Sequence, residues 1–129
     1  MNYSYIKTKK DIECFLEKTN SLHDGYIIGV EYINDGITNL GQSRYSFDYR
    51  KTRLLLRILV TSIWDAIVEI EFSHILEWQI KDNQMDMTNT SVILDGQGIV
   101  WSDDVFINMD EIKNGSYVIA DSMKWRIIE

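Results

Sequence analysis

The stretch that decides the fold is residues 21–34, SLHDGYIIGVEYIN, because it joins a helical segment to the first strand of a sheet. Side chains of a β-strand point alternately to its two faces. In residues 26–33 both alternating sets are largely apolar, which predicts a strand in the middle of a sheet, buried on both faces. Gly29 leaves a gap on one face, where a bulky neighbour such as the N-terminal helix can approach closely.

A short helix is predicted just before this stretch, over residues 9–19. Thr8 is suited to the N-cap, and Asp11 lies at the position that completes a capping box. The apolar side chains of the helix share one face: Ile12, Phe15 and Leu16. Because a helix of about three turns is marginal alone, this face must pack on the sheet.

The rest of the chain alternates with the period of a strand. The pattern in residues 53–61 and 66–72 predicts an antiparallel hairpin. The second strand of this hairpin is expected to have one solvent-exposed face. Further strands are predicted at residues 45–49, 74–80, 92–94, 99–101, 105–107, 117–120 and 123–127. A hairpin tip or loop is predicted at 37–43, a loop at 81–90 and a single helical turn at 110–113.

These elements predict one mainly β (α+β) domain over residues 1–129. One N-terminal helix packs on a strongly bent antiparallel sheet, a sandwich or an open barrel of about eight strands. Parallel α/β architecture is disfavoured, because no helical segments long enough for crossovers separate the strands.

Composition favours a globular cytoplasmic protein. The chain of 129 residues is 45% hydrophobic, and no apolar run is long enough to cross a membrane or to act as a secretory signal. The lone Cys14 is expected to be a small buried hydrophobe on the helix. The absence of proline, with abundant Ile, Asn, Asp and Lys, is typical of an AT-rich bacterial genome.

A net charge of −7 bears on the partners of the protein. It argues against nucleic-acid binding, which needs clustered Lys and Arg to neutralise phosphates. It would attract a basic protein partner, although an acidic balance also serves simply to keep a protein soluble.

The adjacent His23 and Asp24 are the first candidate for chemistry. The histidine–aspartate phosphohydrolases use such a dipeptide, but they need more histidines than this chain has. A two-histidine, one-carboxylate metal site from His23, His74 and Asp24 stays open, and with it a metal-dependent or small-ligand-binding enzyme. The alternative is that the pair fixes the turn before the strand, with Asp24 accepting backbone N–H bonds.

Two further acidic groups are candidate binding residues. Glu69 and Glu71 project from the same side of a strand, either as an acid/base or cation-binding pair or as its solvated face. Trp101, Asp103 and Asp104 combine an aromatic ring with two carboxylates beside a turn, which suits a protein-binding surface or a shallow sugar site, unless Trp101 belongs to the core.

A basic and aromatic cluster forms the only place suited to an anionic ligand. Its residues are Arg44, Arg50, Lys51, Arg53 and Arg57, with Tyr45 and Tyr49 between them. The alternative is that these charges protect an edge strand from pairing with another molecule. No catalytic Ser or Cys motif, phosphate-binding glycine loop or Cys/His metal box is present, so no cofactor and no catalytic residue is predicted.

Three stretches give a partial resemblance to known proteins: Leu22-His23-Asp24 before an alternating strand, the strand AIVEIEF at residues 66–72, and Lys124-Trp125-Arg126. They resemble small β-rich immunity-type proteins of bacterial polymorphic toxin systems and related uncharacterised bacterial domains. The resemblance implies a non-enzymatic inhibitor that binds and silences a toxin. A self-associating structural module or homodimer is a third hypothesis, because sheets of this size leave open edges.

Overall fold

The structure is a computed structural model that describes residues 2–41, 44–81, 86–96, 98–105 and 108–128, with backbone only at 37–41, 44–47 and 49. Its one α-helix, α1, is Lys9–Lys18. The strands are β1 Ser4–Tyr5, β2 Gly25–Asn34, β3 Ile37–Gly41, β4 Arg44–Phe47, β5 Thr52–Val60, β6 Ala66–Gln79, β7 Ser91–Asp95, β8 Gly98–Ser102 and β9 Tyr117–Ile128. Short 3-10 helices lie at Asn20–Leu22, Tyr49–Lys51, Thr61–Ile63 and Met109–Asn114. No helix among these described parts is long and apolar enough to span a membrane.

Seven strands form one open antiparallel sheet. Six of them lie in the order β2-β5-β6-β9-β8-β7, and the seventh, β1, pairs with β9. The long strand β9 serves two neighbours on one side: β8 pairs with residues 117–120, and β1 pairs with Lys124 and Trp125 farther along. Strands β3 and β4 form a separate two-stranded hairpin. The mainly β fold class with one helix is therefore confirmed, and the sheet does not close into a barrel.

The core lies between α1 and the middle strands of the sheet. Leu56 on β5 is opposite Ile70 on β6, and Ile70 is opposite Trp125 on β9, so one face of three neighbouring strands is apolar. Phe15 from α1 meets the ring of Trp125 edge-on, with centroids 5.2 Å apart. Burying each such side chain contributes on the order of 2 kcal/mol. This packing holds a helix that would be marginal by itself.

The helix begins as the sequence predicts. The Thr8 hydroxyl accepts a hydrogen bond from the Asp11 amide, and the Asp11 carboxylate accepts one from the Thr8 amide. The expectation that Cys14 is buried is wrong, because its side chain is exposed. With about 100° between successive helical residues, position 14 points away from the stripe that Phe15 and Leu16 occupy.

Strand β2 lies at an edge of the sheet, and the prediction that it is central is wrong. Apolar side chains on both faces of β2 stay partly exposed: Tyr26, Ile28, Val30 and Tyr32. Alternation could not reveal this, because an apolar residue at an open edge and one under a second layer give the same pattern. Nor does the helix fill the gap at Gly29, where the nearest side chain is that of Arg57 on β5.

Three other boundaries differ from expectation. Residues 66–79 form the single strand β6 where two strands were predicted, because the chain continues through His74 in a left-handed conformation (φ 59°) without turning. Residues 37–41 form β3 although a loop or hairpin tip was predicted there. Val105 lies outside the strands, and the rest of the strand predicted at 105–107 falls outside the described residues. The helical turn predicted at 110–113 is confirmed within Met109–Asn114.

The capping box gives a first test. We expect Thr8→Ala to lower the free energy of unfolding by about 1 kcal/mol, because the Asp11 amide loses its acceptor. Thr8→Ser, which keeps the hydroxyl, should stay close to the wild type. Urea denaturation followed by tryptophan fluorescence measures both, and an equal loss in the two variants would contradict the capping role.

Candidate functional site

The sheet face opposite α1 carries a buried ionic cluster, which we call the Glu69 cluster: Tyr3, Arg57, Glu69 and Arg126. Register creates it, because Glu69 on β6 is directly opposite Arg57 on β5 and Arg126 on β9. The carboxylate accepts hydrogen bonds from Arg57 Nε at 2.9 Å and from Arg126 Nε at 3.0 Å. The Tyr3 hydroxyl donates a further hydrogen bond to this carboxylate. Glu69 itself is only 1% exposed.

Hydrogen bonds decide the charge of Glu69. Burial disfavours the charged form and by itself would raise the pKa, but the bonds from Tyr3, Arg57 and Arg126 outweigh burial and lower it. On the other side of the contact, burial and the bond to Glu69 raise the pKa of Tyr3 to about 12. The bond to Glu69 likewise raises the pKa of Arg57. Glu69 and Arg57 are thus ionised, and Tyr3 is protonated, across the neutral range.

Glu71 lies beside the cluster and is also paired. Its carboxylate is 3.0 Å from Lys124 Nζ and 3.8 Å from Arg53 Nη1. The interpretation of these two glutamates as a solvated strand face is wrong for Glu69, because the segment bearing Tyr3 crosses over it. Both carboxylates have cationic partners within the chain.

In the basic cluster predicted around residues 44–57, Arg50, Arg53 and Arg57 each pair with a different carboxylate of the chain. Arg50 is 2.9 Å from Asp48, and Arg53 is 3.2 Å from Asp35. Edge protection is wrong as an explanation for Arg53 and Arg57, because β5 has neighbours on both sides. The side chains of Arg44, Tyr45 and Tyr49 lie outside the described residues.

His23 and Asp24 hold the turn between α1 and β2. His23 Nδ1 is 2.8 Å from the Thr88 carbonyl, and its Nε2 is 3.7 Å from Asp24 Oδ1. The Asp24 carbonyl accepts bonds from the amide and hydroxyl of Thr61, while the Asp24 amide donates to Met87. These contacts connect the start of β2 to the segments around Met87 and Thr61. They use the backbone atoms of Asp24, whereas the sequence predicted that the Asp24 side chain would accept the hydrogen bonds.

The second histidine has different neighbours. His74 lies on β6, with its Nδ1 3.4 Å from Asp121 on β9. Across the described ranges there is no group of three or more His, Cys, Asp or Glu side chains placed to hold a metal ion. Nothing in these parts of the chain therefore brings His23, Asp24 and His74 into one metal site.

Asp103 and Asp104 line an open cavity of about 370 Å³, which we call the acidic cleft. Its other carboxylates are Asp86 and Glu111, and the lining residues that the structure describes include no lysine or arginine. Asp103 and Asp104 follow β8 directly, and the Asp103 amide is anchored to the Ser116 carbonyl at 3.0 Å. The short helix Met109–Asn114, capped by Asn108, brings Glu111.

Burial and the neighbouring charge of Asp104 raise the pKa of Asp103. A glycine at 115 allows this carboxylate to lie close to the backbone, because a Cβ there would come within 2.4 Å of Asp103 Oδ1. Trp101, which the sequence grouped with these aspartates, is fully buried and packs near Phe72, with ring centroids 6.2 Å apart. The ring of Trp101 belongs to the core. Of the three residues that the sequence grouped together, only Asp103 and Asp104 therefore line the acidic cleft.

Trp64 is a surface residue that the sequence analysis missed. It lies in the loop between β5 and β6, is 97% exposed and has a left-handed backbone (φ 64°). Both features oppose stability, because an aromatic ring is left in water and a non-glycine residue adopts a disfavoured conformation. A tryptophan in a short connection between two amphipathic strands was the available signal.

Comparisons with known proteins add no assignment to this geometry. No protein-family model, no curated protein and no solved structure matches the chain. The functional proposal below therefore rests on the residues themselves.

The Glu69 cluster gives a prediction with a matched control. We expect Glu69→Gln to lower the free energy of unfolding by about 3 kcal/mol at neutral pH, because two arginines lose a buried carboxylate. Glu71→Gln, which removes the same charge two residues away, should cost less than about 1 kcal/mol. Urea denaturation of both variants makes the comparison, and equal costs would contradict the structural role of Glu69.

The same variants carry a dependence on pH. A lowered pKa stabilises the fold above the ordinary range of a glutamate, and this stabilisation is lost as the pH falls through the lowered value. The difference between wild type and Glu69→Gln should therefore shrink in acid. A difference that stays constant down to pH values where both states are protonated would contradict the lowered pKa.

The backbone at Trp64 gives a prediction of opposite sign. Trp64→Gly should raise the free energy of unfolding by about 1 kcal/mol, because glycine adopts a positive φ without steric cost. Trp64→Ala keeps that cost and removes only the exposed ring, so its effect should stay within about 0.5 kcal/mol. Thermal unfolding of the two variants separates backbone from ring, and a clear loss in Trp64→Ala would mean that the ring is packed.

Proposed function

We propose that this chain is a non-enzymatic binding protein whose acidic cleft receives basic side chains of a partner protein, in the role of an immunity-type inhibitor in the bacterial cytoplasm. The observation that carries the proposal is the lining of the cleft, in which the carboxylates of Asp103 and Asp104 lie with no lysine or arginine among the described lining residues. Like charges gathered in this way favour an external cation.

The distribution of ion pairs supports this choice of surface. Glu69, Glu71 and Asp35 each lie within 4 Å of an arginine or lysine of the same chain. Among the residues that the structure describes, Asp103 and Asp104 form no such pair, although the chain has 13 lysines and arginines. Two kinds of carboxylate are therefore distinguished: those that hold the sheet and those left for a partner.

The raised pKa of Asp103 adds an energetic reason. A group whose pKa is raised by folding stabilises the protein only while it is protonated, and the ionised form at neutral pH costs stability. Charges that cost stability in a cleft mark a candidate functional site, because asparagine would fit there without the repulsion. A cationic group from a partner would remove the same repulsion.

The size of the cleft and the overall charge fit a protein ligand. A cavity of about 370 Å³ accommodates the end of a long basic side chain, whose guanidinium or ammonium group can bond to several carboxylates. The net charge of −7 would speed the encounter with a basic protein by electrostatic steering. The partner would be inhibited if the bound basic side chain belongs to its functional site.

A tetralysine peptide tests the cleft itself. Titrated into the isotope-labelled protein, it should shift the amide resonances of Asp103, Asp104 and Gly115, and Asp103→Asn with Asp104→Asn should weaken binding about tenfold or more. Asp65→Asn with Asp121→Asn is the matched control, because it removes the same net charge from outside the cleft. Equal weakening in the two double variants would show non-specific attraction and contradict the proposal.

The inhibitor role needs the partner as well. From extract of the source cell at moderate salt, wild type and the control double variant should retain a basic protein that the cleft variant loses. The retained protein should then lose its activity on addition of wild type and keep it on addition of the cleft variant. Recovery of no basic protein, or inhibition unaffected by the cleft substitutions, would overturn the role.

A further inference from the structure

Trp64 is the most exposed of the large apolar side chains that the structure describes. Its exposed fraction is 97%, whereas the next in order, Val105, reaches 63%. Tryptophan is enriched among the few residues that supply most of the binding energy of protein interfaces. A ring that lies almost wholly in water is therefore a candidate contact for another molecule.

An open groove of about 440 Å³ lies beside this ring, large enough for an aliphatic or aromatic side chain. Two of its apolar residues, Ile63 and Ile127, also pack against the main core, which fixes their positions. Among its described lining residues one lysine faces one aspartate, so the groove has no net charge and suits an apolar ligand. We call it the Trp64 groove, and it is lined by Lys18, Ile63, Trp64, Asp65, Ala66 and Ile127.

The turn that carries Trp64 has an unfavourable backbone conformation. Trp64 and Asp65 are both left-handed, with φ of 64° and 57°. The turn between α1 and β2 lies against it and has four further residues of positive φ. Such conformations are disfavoured for residues other than glycine, and they cluster at functional sites. The four residues are Asn20, Ser21, Leu22 and Asp24.

Hydrogen bonds hold the two turns together. The Asn20 side-chain amide donates to Ser62 Oγ at 3.1 Å, and the Ser62 hydroxyl donates to the His23 carbonyl at 2.5 Å. The Thr61 hydroxyl donates to the Asp24 carbonyl at 3.0 Å. The backbone that carries Trp64 is therefore fixed before any partner arrives, which lowers the entropy lost on binding.

The same turns connect the Trp64 groove to the acidic cleft. The Asp24 amide donates to the Met87 carbonyl at 2.8 Å, and His23 Nδ1 lies 2.8 Å from the Thr88 carbonyl. Met87 and Thr88 both line the acidic cleft. The surface therefore continues from one site to the other through hydrogen-bonded segments, and one partner protein can contact both.

We propose that the Trp64 groove receives an apolar side chain of the same basic protein whose cationic side chains enter the acidic cleft. This inference rests on the proposed function and adds a second contact to that interface. The area that binding needs supports it, because a stable interface buries roughly 800 Å² on each partner, far more than the end of one basic side chain covers. Charge favours a basic protein over a second copy of this chain, because two molecules of net charge −7 repel each other.

The second contact also explains why a tryptophan occupies this position. Glycine would relieve the backbone at residue 64, but it would remove one wall of the groove. Stability lost at a binding surface is a common cost of function. The two sites would then act on different steps, because charge at the cleft speeds the encounter and apolar contact at the groove slows dissociation.

N-acetyl-leucinamide tests the groove without the cleft. Titrated into the isotope-labelled full chain up to its solubility limit, it should shift the indole N–H resonance of Trp64 and the amide resonances of Ile63 and Ile127. N-acetylglycinamide, which lacks the side chain, should leave them in place, and Ala66→Leu should abolish the shifts by filling part of the groove. Absence of shifts with the leucine compound, or equal shifts with both compounds, would overturn the proposal.

Peptides that join tetralysine to a pair of leucines test the two sites together. Over a series of increasing glycine linkers, the best peptide should bind about tenfold or more tightly than tetralysine alone, because its second contact becomes intramolecular. Trp64→Ala should lose this gain and keep the affinity for tetralysine. Leu94→Ala, which removes an exposed apolar side chain from β7, is the matched control and should keep both.

The outcomes separate this proposal from the function on which it rests. If tetralysine binds the cleft but the leucines add nothing at any linker length, or add as much to Trp64→Ala, the groove contact is refuted and the proposed function stands. If tetralysine fails to shift Asp103 and Asp104, the proposed function fails and the shared interface fails with it. Light scattering that detects a dimer dissociated by Trp64→Ala would assign the groove to a second copy and contradict the proposal.

Discussion

Antiparallel pairing of β5, β6 and β9 is the constraint on which the rest of the molecule depends. It brings Leu56, Ile70 and Trp125 into one row under α1, and Arg57, Glu69 and Arg126 into the next row on the opposite face. Because side chains alternate, the same register fixes both rows. A slip by one residue would place Glu69 in the apolar core and Ile70 among the arginines.

The N-terminal segment ties these two faces together. Tyr3 donates its hydroxyl to Glu69 on one face, whereas Ile6 and Phe15 are buried in the core on the other. Between them β1 pairs with β9, so the chain passes from one face to the other at a strand edge. The segment covers Glu69, which is 1% exposed, while Arg57 and Arg126 beside it stay partly exposed.

Local patterns in the sequence predicted the elements that local physics controls. The Thr8 cap, the strand β5, the first half of β6 and the helical turn near residue 110 follow from spacing and capping chemistry alone. Two of the cleft carboxylates, Asp103 and Asp104, could also be named, because they sit together beside a turn. Asp86 and Glu111 could not, since they join the cleft only through contacts between distant parts of the chain.

The wrong predictions share one physical origin, because each depends on contacts between residues that are distant in the sequence. Alternation along β2 could not show that it lies at the edge of the strands that the structure describes, and a glutamate on an amphipathic strand gives no sign that Tyr3 will cover it. For Trp101 the sequence left a surface position and a core position open, and its pairing with Val118 on β9 places it in the core. Such facts belong to the register and order of strands, which are set by the whole chain.

Native-state hydrogen exchange of the dilute protein tests the central role of the three paired strands most directly. The hydrogen-bonded amides of β5, β6 and β9, including those near Leu56, Ile70 and Trp125, should exchange only through global unfolding and therefore most slowly. Those of β7 and of the β3–β4 hairpin should exchange about tenfold faster or more, because they open locally. Exchange near Ile70 as fast as exchange near Ile93 would contradict this arrangement of stability.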